Sequence, residues 1–169
     1  MTDILIVDDE RDIRELISEI LIDEGYQTKL CGSADGCLQE LKKSVPGLLI
    51  LDIWLKDNEM DGIDILVKAK RDYLQVPVVI ISGHGNIEIA VAAIKQGAYD
   101  FIEKPFNIEQ LLVVVRRAME ASRLRQENFE LKRKDTPLSV MVGDSNIFKN
   151  FISNLDKVTK TQGRILLTG

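Results

Sequence analysis

Short runs of apolar residues alternate along the amino-terminal part of the chain with segments whose apolar residues recur every three or four positions. The first pattern is typical of strands buried on both faces of a sheet, and the second of helices that pack one face against that sheet. The predicted strands cover residues 4–7, 26–30, 48–51, 77–81 and 100–102.

A segment with helical periodicity follows each predicted strand. The first carries Ile13, Ile17 and Leu21 on one face and ends near Gly25, and the fourth ends near Gly97. Five strands alternating with five helices predict an α/β fold with a doubly wound, five-stranded parallel sheet. Ligands of such folds bind at the carboxyl ends of the strands, so the residues found there are the candidates for function.

The fifth helix is predicted to start beside Asn107, a plausible N-cap, and to extend well beyond the sheet. Residues 107–134 contain neither Gly nor Pro, which allows about 42 Å of continuous helix. Its charged second half is either a solvated linker helix or a short coiled-coil seam with an asparagine at a core position. The seam residues would be Ala121, Leu124, Asn128 and Leu131.

Pro137 interrupts this helix, and the pattern changes after it. Ser145 is a candidate cap for a helix carrying Ile147, Phe151 and Leu155, and residues 164–169 read as a strand that runs into Gly169. One helix and one strand cannot bury a core alone. Residues 137–169 are therefore predicted to open a second domain.

Charge and composition exclude several classes of protein. The chain has a net charge of −5, concentrated as −9 over residues 1–106, which disfavours nucleic-acid binding by this part and permits cation binding. The sequence has no run of apolar residues long enough to span a membrane and no signal peptide. Cys31 and Cys37 are the only cysteines, and the chain has a single histidine, so no second cysteine pair is present to suggest a metal site or a disulfide framework. We expect free thiols in a cytoplasmic protein.

Polar residues follow four of the five predicted strands. They are Asp8 and Asp9, Asp52, Ser82 and Lys104. Three neighbouring carboxylates repel one another unless they hold a cation, and an all-oxygen ligand set suits Mg²⁺ or Mn²⁺. A cation, an ammonium group and a hydroxyl together can cradle a phosphoryl group, which a carboxylate can accept as an acyl phosphate.

The same segments resemble the receiver domain of bacterial two-component response regulators. The resemblance covers residues 3–120 and rests on Ile6–Glu10, Leu49–Trp54, Met60–Gly62, Val79–Gly83 and Ala98–Phe106. It implies the flavodoxin-like strand order 2-1-3-4-5 and a signalling switch rather than an enzyme.

Carried over by position, the resemblance implies a role for each strand-end residue. Asp52 is the implied phosphoacceptor, and Lys104 the phosphate-binding lysine, followed by a cis peptide bond to Pro105. Ser82 and Phe101 are the implied switch residues. The implied Mg²⁺ ligands are Asp8, Asp9, Asp52 and the backbone carbonyl of Trp54. His84 and Trp54 are expected at the rim, where the indole would occlude the approach of water and the imidazole could instead hold a water molecule by a hydrogen bond.

The carboxyl-terminal part resembles the start of the AAA+ domain of NtrC-family regulators, on residues 142–145 and 165–169. Together with residues 53–60 and 82–87, it is most similar to the NtrX branch. This implies a receiver at 1–120, a linker helix at 121–136 and the beginning of a sigma-54-interaction-type domain at 137–169. The implied partners are a sensor histidine kinase and a second copy, through helix 4, strand 5 and helix 5 or through the linker helix. We expect no binding of ATP, nucleic acid or membrane by this chain.

Two other functions are compatible with an α/β fold. An Asp-nucleophile phosphatase of the haloacid-dehalogenase type would need an Asp-x-Asp pair after the first strand, whereas Asp8 and Asp9 are adjacent. A flavin-binding domain would need a phosphate loop there, and three consecutive acids would repel the phosphate.

Overall fold

The computed structural model describes residues 3–55, 60–83, 87–135 and Ser145. Five parallel strands form one sheet in the order β2-β1-β3-β4-β5, which confirms the predicted topology. The strands are β1 Ile4–Val7, β2 Thr28–Cys31, β3 Leu48–Asp52, β4 Val78–Ser82 and β5 Asp100–Glu103. The helices are α1 Arg11–Asp23, α2 Ala34–Lys43, α3 Gly62–Asp72, α4 Ile87–Lys95 and α5 Ile108–Asp135.

The three central strands are buried along their whole length, because helices cover both faces of the sheet. Alternate side chains of each strand enter different cores, as the pleat requires. Leu5 and Val7 pack with residues of α2, α3 and α4, whereas Ile4 and Ile6 pack with residues of α1 and α5. This division explains why the central strands are continuously apolar in sequence.

Polar side chains fix the starts of three helices. Ser33 accepts a hydrogen bond from the backbone of α2, and Asp61 and Asp64 form a reciprocal capping box at α3. Asn107 accepts from the backbone N–H of Gln110 at 3.2 Å, so the predicted cap of α5 is confirmed. The predicted length of α5 is also confirmed.

The edge strand β2 differs from the prediction by a shift along the chain. The expected strand was 26–30, whereas the ladder pairs Thr28–Cys31 with β1. Tyr26 is instead part of the turn after α1, since its N–H donates to the carbonyl of Leu21. Extension to Cys31 matters for the site, because the Cys31 carbonyl accepts the N–H of Asp8 at 3.2 Å.

The apolar residues of α4 do not all face the core. Among its described residues Ala93 is fully buried, while Ile87, Val91 and Ile94 are 83%, 44% and 47% exposed. Positions separated by four and three residues share one helix face. The fourth helix therefore presents an apolar stripe to solvent.

Contacts between Cα atoms divide the chain into two units, Met1–Lys132 and Arg133–Gly169, and the fold described here is that of the first. None of the described helices is both long and apolar enough to cross a bilayer. Cys31 and Cys37 are buried free thiols, as expected. The helix and strand predicted within residues 137–169 lie outside the described residues.

Candidate functional site

The polar residues that end the strands come together at the carboxyl edge of the sheet. Asp8 follows β1, Asp52 ends β3, Ser82 ends β4, and Lys104 follows β5. The two aspartates and the serine are at most 4% exposed. The N–H of Lys104 donates to the Ser82 carbonyl at 2.8 Å, so the backbone itself draws the last two together. The Lys104–Pro105 peptide bond is cis, as the resemblance implied.

The ammonium group of Lys104 links the carboxylates. Its Nζ lies 2.8 Å from Asp8 Oδ2, 3.0 Å from Asp52 Oδ2 and 3.4 Å from Glu10 Oε1. Burial by itself would lower the pKa of Lys104, but its hydrogen bonds to Asp8 and Asp52 outweigh burial and raise the pKa to about 12. Lys104 is therefore charged at every physiological pH.

Negative charge exceeds positive charge around this ammonium group. Burial raises the pKa of Asp8, and the hydrogen bond from Lys104 only partly compensates. Nearby Arg14 donates to the backbone carbonyl of Asp8 rather than to a carboxylate. The excess charge favours the arrival of a further cation.

The carboxylates fit a hard metal ion. Oxygen atoms of Asp8, Glu10 and Asp52 lie within 4.8 Å of one another, and Asp9 lines the same open depression as Asp52. Carboxylate oxygens are the ligands that Mg²⁺ prefers. Because Glu10 stands at the N-cap of α1 without capping it, its side chain can turn toward the cluster. Glu10 was not among the residues predicted from the sequence, although its place in the acidic run after β1 was a usable signal.

The remaining predicted site residues are Trp54, Phe101 and His84, and of these only Trp54 is seen to line the depression within the described part of the chain. Trp54 lines it and is 51% exposed, and its backbone N–H donates to Asp52 Oδ1 at 3.3 Å. Phe101 is half-buried and packs against the core on the side of α2, α3 and α4. His84, the other expected rim residue, lies outside the described residues.

The start of α3 packs directly against the backbone that carries Asp52. The N–H of Gly62 donates to the Ile53 carbonyl at 2.8 Å. A Cβ atom on Gly62 would lie 2.2 Å from the Asp52 carbonyl oxygen and 2.6 Å from Ile53 Cα. The absence of a side chain at position 62 thus permits the close approach that positions the Asp52 loop.

The chain is similar in sequence to known proteins. The family described as response regulator receiver domain matches residues 4–116. The nitrogen assimilation regulatory protein NtrX of Azorhizobium caulinodans is 52% identical over 167 residues, which are 99% of this chain and 37% of that protein. A putative NtrX-like response regulator of Rickettsia bellii is 46% identical over 169 residues, 100% of this chain and 35% of that protein.

A solved receiver-domain structure is also similar to this chain. The crystal structure of the receiver domain of NtrX from Brucella abortus has a TM-score of 0.67 and 52% identity, and the match covers 70% of this chain and 98% of that one. The chain spans little more than a third of the length of these two curated relatives. The family match and the relatives aligned along the whole chain establish that it belongs to the receiver-domain response regulators, in the NtrX-like branch of the NtrC family.

Proposed function

We propose that this chain accepts a phosphoryl group on Asp52 and thereby acts as the input switch of a transcriptional regulator. The observation that carries the proposal is the Lys104 ammonium group 3.0 Å from the buried Asp52 carboxylate, at the edge of a depression lined by further acids. In the transfer, an oxygen of Asp52 forms a bond to phosphorus as the bond to the donor breaks. When the donor is a phosphohistidine, its imidazole nitrogen keeps the bonding electrons and takes up a proton.

Asp8, Asp9 and Asp52, with the backbone carbonyl of Trp54, would hold Mg²⁺, and Glu10 is placed to assist. Such an ion would supply positive charge to the phosphoryl oxygens, and neutralisation of that charge is the chief requirement of phosphoryl transfer. Lys104 supplies a second positive charge, already oriented by Asp8 and Asp52. The serine hydroxyl at position 82, at the end of the neighbouring strand β4, would donate to a phosphoryl oxygen.

Ser82 and Phe101 would connect the phosphorylation site to the surface formed by α4, β5 and α5. Movement of Ser82 toward the phosphoryl group would free space for Phe101, which is half-buried on β5 beside α4. The exposed stripe of Ile87, Val91 and Ile94 on α4 is the apolar area that association through α4, β5 and α5 would cover. The partners proposed for these two steps are a sensor histidine kinase and a second copy of the chain.

The proposed domain organisation places the receiver at residues 1–120, the linker helix at 121–136 and the start of an AAA+ domain at 137–169. The helix α5 continues without a break to Asp135, which supports a helical linker after the receiver. The relatives extend far beyond the length matched here, so control of transcription would belong to the longer protein. A cytoplasmic location is part of the proposal, since a kinase that signals to transcription acts there.

Phosphorylation of Asp52 is tested with acetyl phosphate as donor. We expect one phosphoryl group per chain in the presence of Mg²⁺ and none above background in EDTA. Asp52→Asn should abolish incorporation, whereas Asp35→Asn, which removes an exposed acid from α2, should leave it unchanged. Binding of Mg²⁺ is followed separately by fluorescence of Trp54, the single tryptophan of the sequence.

Two results would contradict the proposal. One is base-labile phosphate that persists in Asp52→Asn, which would place the acceptor elsewhere. The other is steady turnover of small phosphoesters, which would favour the phosphatase alternative.

The lifetime of the acyl phosphate should depend on Trp54. Water must approach the phosphorus opposite the Asp52 oxygen, and the half-exposed Trp54, which lines the depression, would stand beside that path. We expect Trp54→Ala to change the decay rate at least about threefold, equivalent to roughly 0.65 kcal/mol of barrier. Decay of radiolabelled protein measures it, with Ile22→Ala on the exposed part of α1 as the control. Identical decay in both variants would show that the indole does not influence access.

A further inference from the structure

A second depression lies at the opposite edge of the sheet from Asp52. It opens where α3 and α4 end and the second half of α5 passes them, and its volume is about 780 Å³. Five-residue strands separate the two edges by roughly 17 Å. Its lining includes three cationic and three apolar residues: Lys70, Lys95, Arg125, Leu74, Leu124 and Phe129. We call it the α3–α4–α5 pocket.

The pocket collects positive charge without a matching negative charge. Lys70, Lys95 and Arg125 line it, and none of its described lining residues is acidic. Within the described ranges, no carboxylate lies within ion-pair distance of any of these three cations, although ion pairs are present on other parts of α5. This concentration of cations stands out in a chain whose residues 1–106 carry a net charge of −9.

Lys70 is held in place at this pocket. Its Nζ donates to the Val76 carbonyl at 2.6 Å, and its methylene groups lie beside Gly97, where an added Cβ would come within 3.4 Å of Lys70 Cγ. Burial and the nearby charge of Arg125 lower the pKa of Lys70 to about 8. The cation is thus partly desolvated and faces a like charge, a situation that a bound anion would relieve.

Apolar side chains flank the cations. Leu74, Leu124 and Phe129 line the pocket and are 76%, 53% and 56% exposed. A site that combines exposed apolar groups with cations lacking a carboxylate partner among the described residues is complementary to an anion that carries an apolar body. Inorganic phosphate alone would leave the apolar groups uncovered.

We propose that the α3–α4–α5 pocket binds a small organic anion, with its phosphate or carboxylate group between Lys70, Lys95 and Arg125 and its apolar body against Leu124 and Phe129. Such a ligand would touch both the ends of α3 and α4 and the second half of α5. Binding would therefore hold the extension of α5 against the receiver, which makes the pocket a place where a metabolite can act on the segment leading out of the domain. The site is independent of Asp52 and does not require its phosphorylation.

The probe that fits this description is phenyl phosphate, titrated into the whole chain while backbone amide shifts are recorded by NMR. We expect saturable shifts at Gly97 and Gln96 with a Kd of about 1 mM or tighter. Phenyl phosphate should bind at least about threefold more tightly than inorganic phosphate, because its ring contacts Phe129 and Leu124. Phenol, which lacks the charge, should not saturate.

Variants separate this site from general charge attraction. Arg125→Gln and Lys95→Gln should each weaken binding at least about fivefold, because each removes a charged contact. Arg117→Gln removes an exposed charge from the same helix outside the pocket and should change Kd by less than about twofold. The amide of Gly83 reports on the Asp52 site in the same spectra.

Three outcomes would overturn the proposal. The first is the absence of saturable shifts at Gly97 up to about 10 mM, a concentration that detects even weak sites. The second is equal weakening by Arg117→Gln, and the third is a response confined to Gly83. Binding of an acidic peptide without binding of phenyl phosphate would also overturn it, since it would assign the pocket to a protein partner.

Discussion

In the absence of divalent metal ions, Lys104→Met is expected to lower the free energy of unfolding by about 3 kcal/mol at neutral pH. The substitution leaves the buried carboxylates of Asp8 and Asp52 without the ammonium group that bonds to both. The sign follows from the pKa of Lys104, which rises from 10.5 to about 12 on folding. A raised pKa means that the charged lysine stabilises the fold at neutral pH. This stabilisation is fully present below pH 10.5 and is lost as the pH rises from there through about 12.

Urea unfolding in EDTA measures the effect, and three comparisons identify its cause. Lys42→Met, which removes an exposed charge from α2, should change stability by less than about 0.5 kcal/mol. Adding Asp8→Asn to Lys104→Met should recover part of the loss, because it removes one of the stranded charges. Saturating Mg²⁺ should recover about 2–3 kcal/mol at a hundredfold excess over Kd. A loss that neither Asp8→Asn nor Mg²⁺ reduces would mean that the lysine stem, rather than its charge, stabilises the site.

The position of the site was predictable because it depends on strand order and strand ends alone. Parallel strands place their carboxyl ends at one edge, so Asp8, Asp52, Ser82 and Lys104 had to meet once the five strands were recognised. The apolar runs that define those strands are uninterrupted, since both faces are buried. Here local pattern and long-range packing point to the same structure.

The pattern of apolar and polar residues does not predict features that depend on how the helices pack in three dimensions. The apolar period of α4 identifies a helix, but it does not reveal that Ile87 and Val91 face solvent rather than the core. The cations of the α3–α4–α5 pocket are separated in sequence and meet only because α5 continues past the sheet. The ammonium group of Lys104 lies 3.4 Å from Glu10 Oε1, and the direction of the Glu10 side chain that gives this contact is not specified by sequence spacing.

Gly62→Ala is expected to destabilise the fold by about 3 kcal/mol. The sequence pattern gave no indication that α3 packs this closely on the backbone of Asp52. The cost arises from space, because the new methyl group would overlap the backbone of Asp52 and Ile53, at 2.2 Å and 2.6 Å. Backbone cannot move aside as a flexible side chain can. Either α3 retreats and loses the bond from Gly62 N–H to the Ile53 carbonyl, or the Asp52 loop shifts.

The two responses have different consequences for function. A shift of the loop moves the Asp52 carboxylate away from Lys104, so phosphorylation by acetyl phosphate should slow at least about tenfold even in the folded protein. Gly83→Ala is the matched control, because among the described residues the nearest atom to its methyl group would be in the Lys104 side chain, at 3.8 Å. That variant should stay within about 1 kcal/mol of the parent. If Gly62→Ala is destabilised yet phosphorylated at the parent rate, α3 rather than the loop has moved, and the acceptor is positioned by β3 alone.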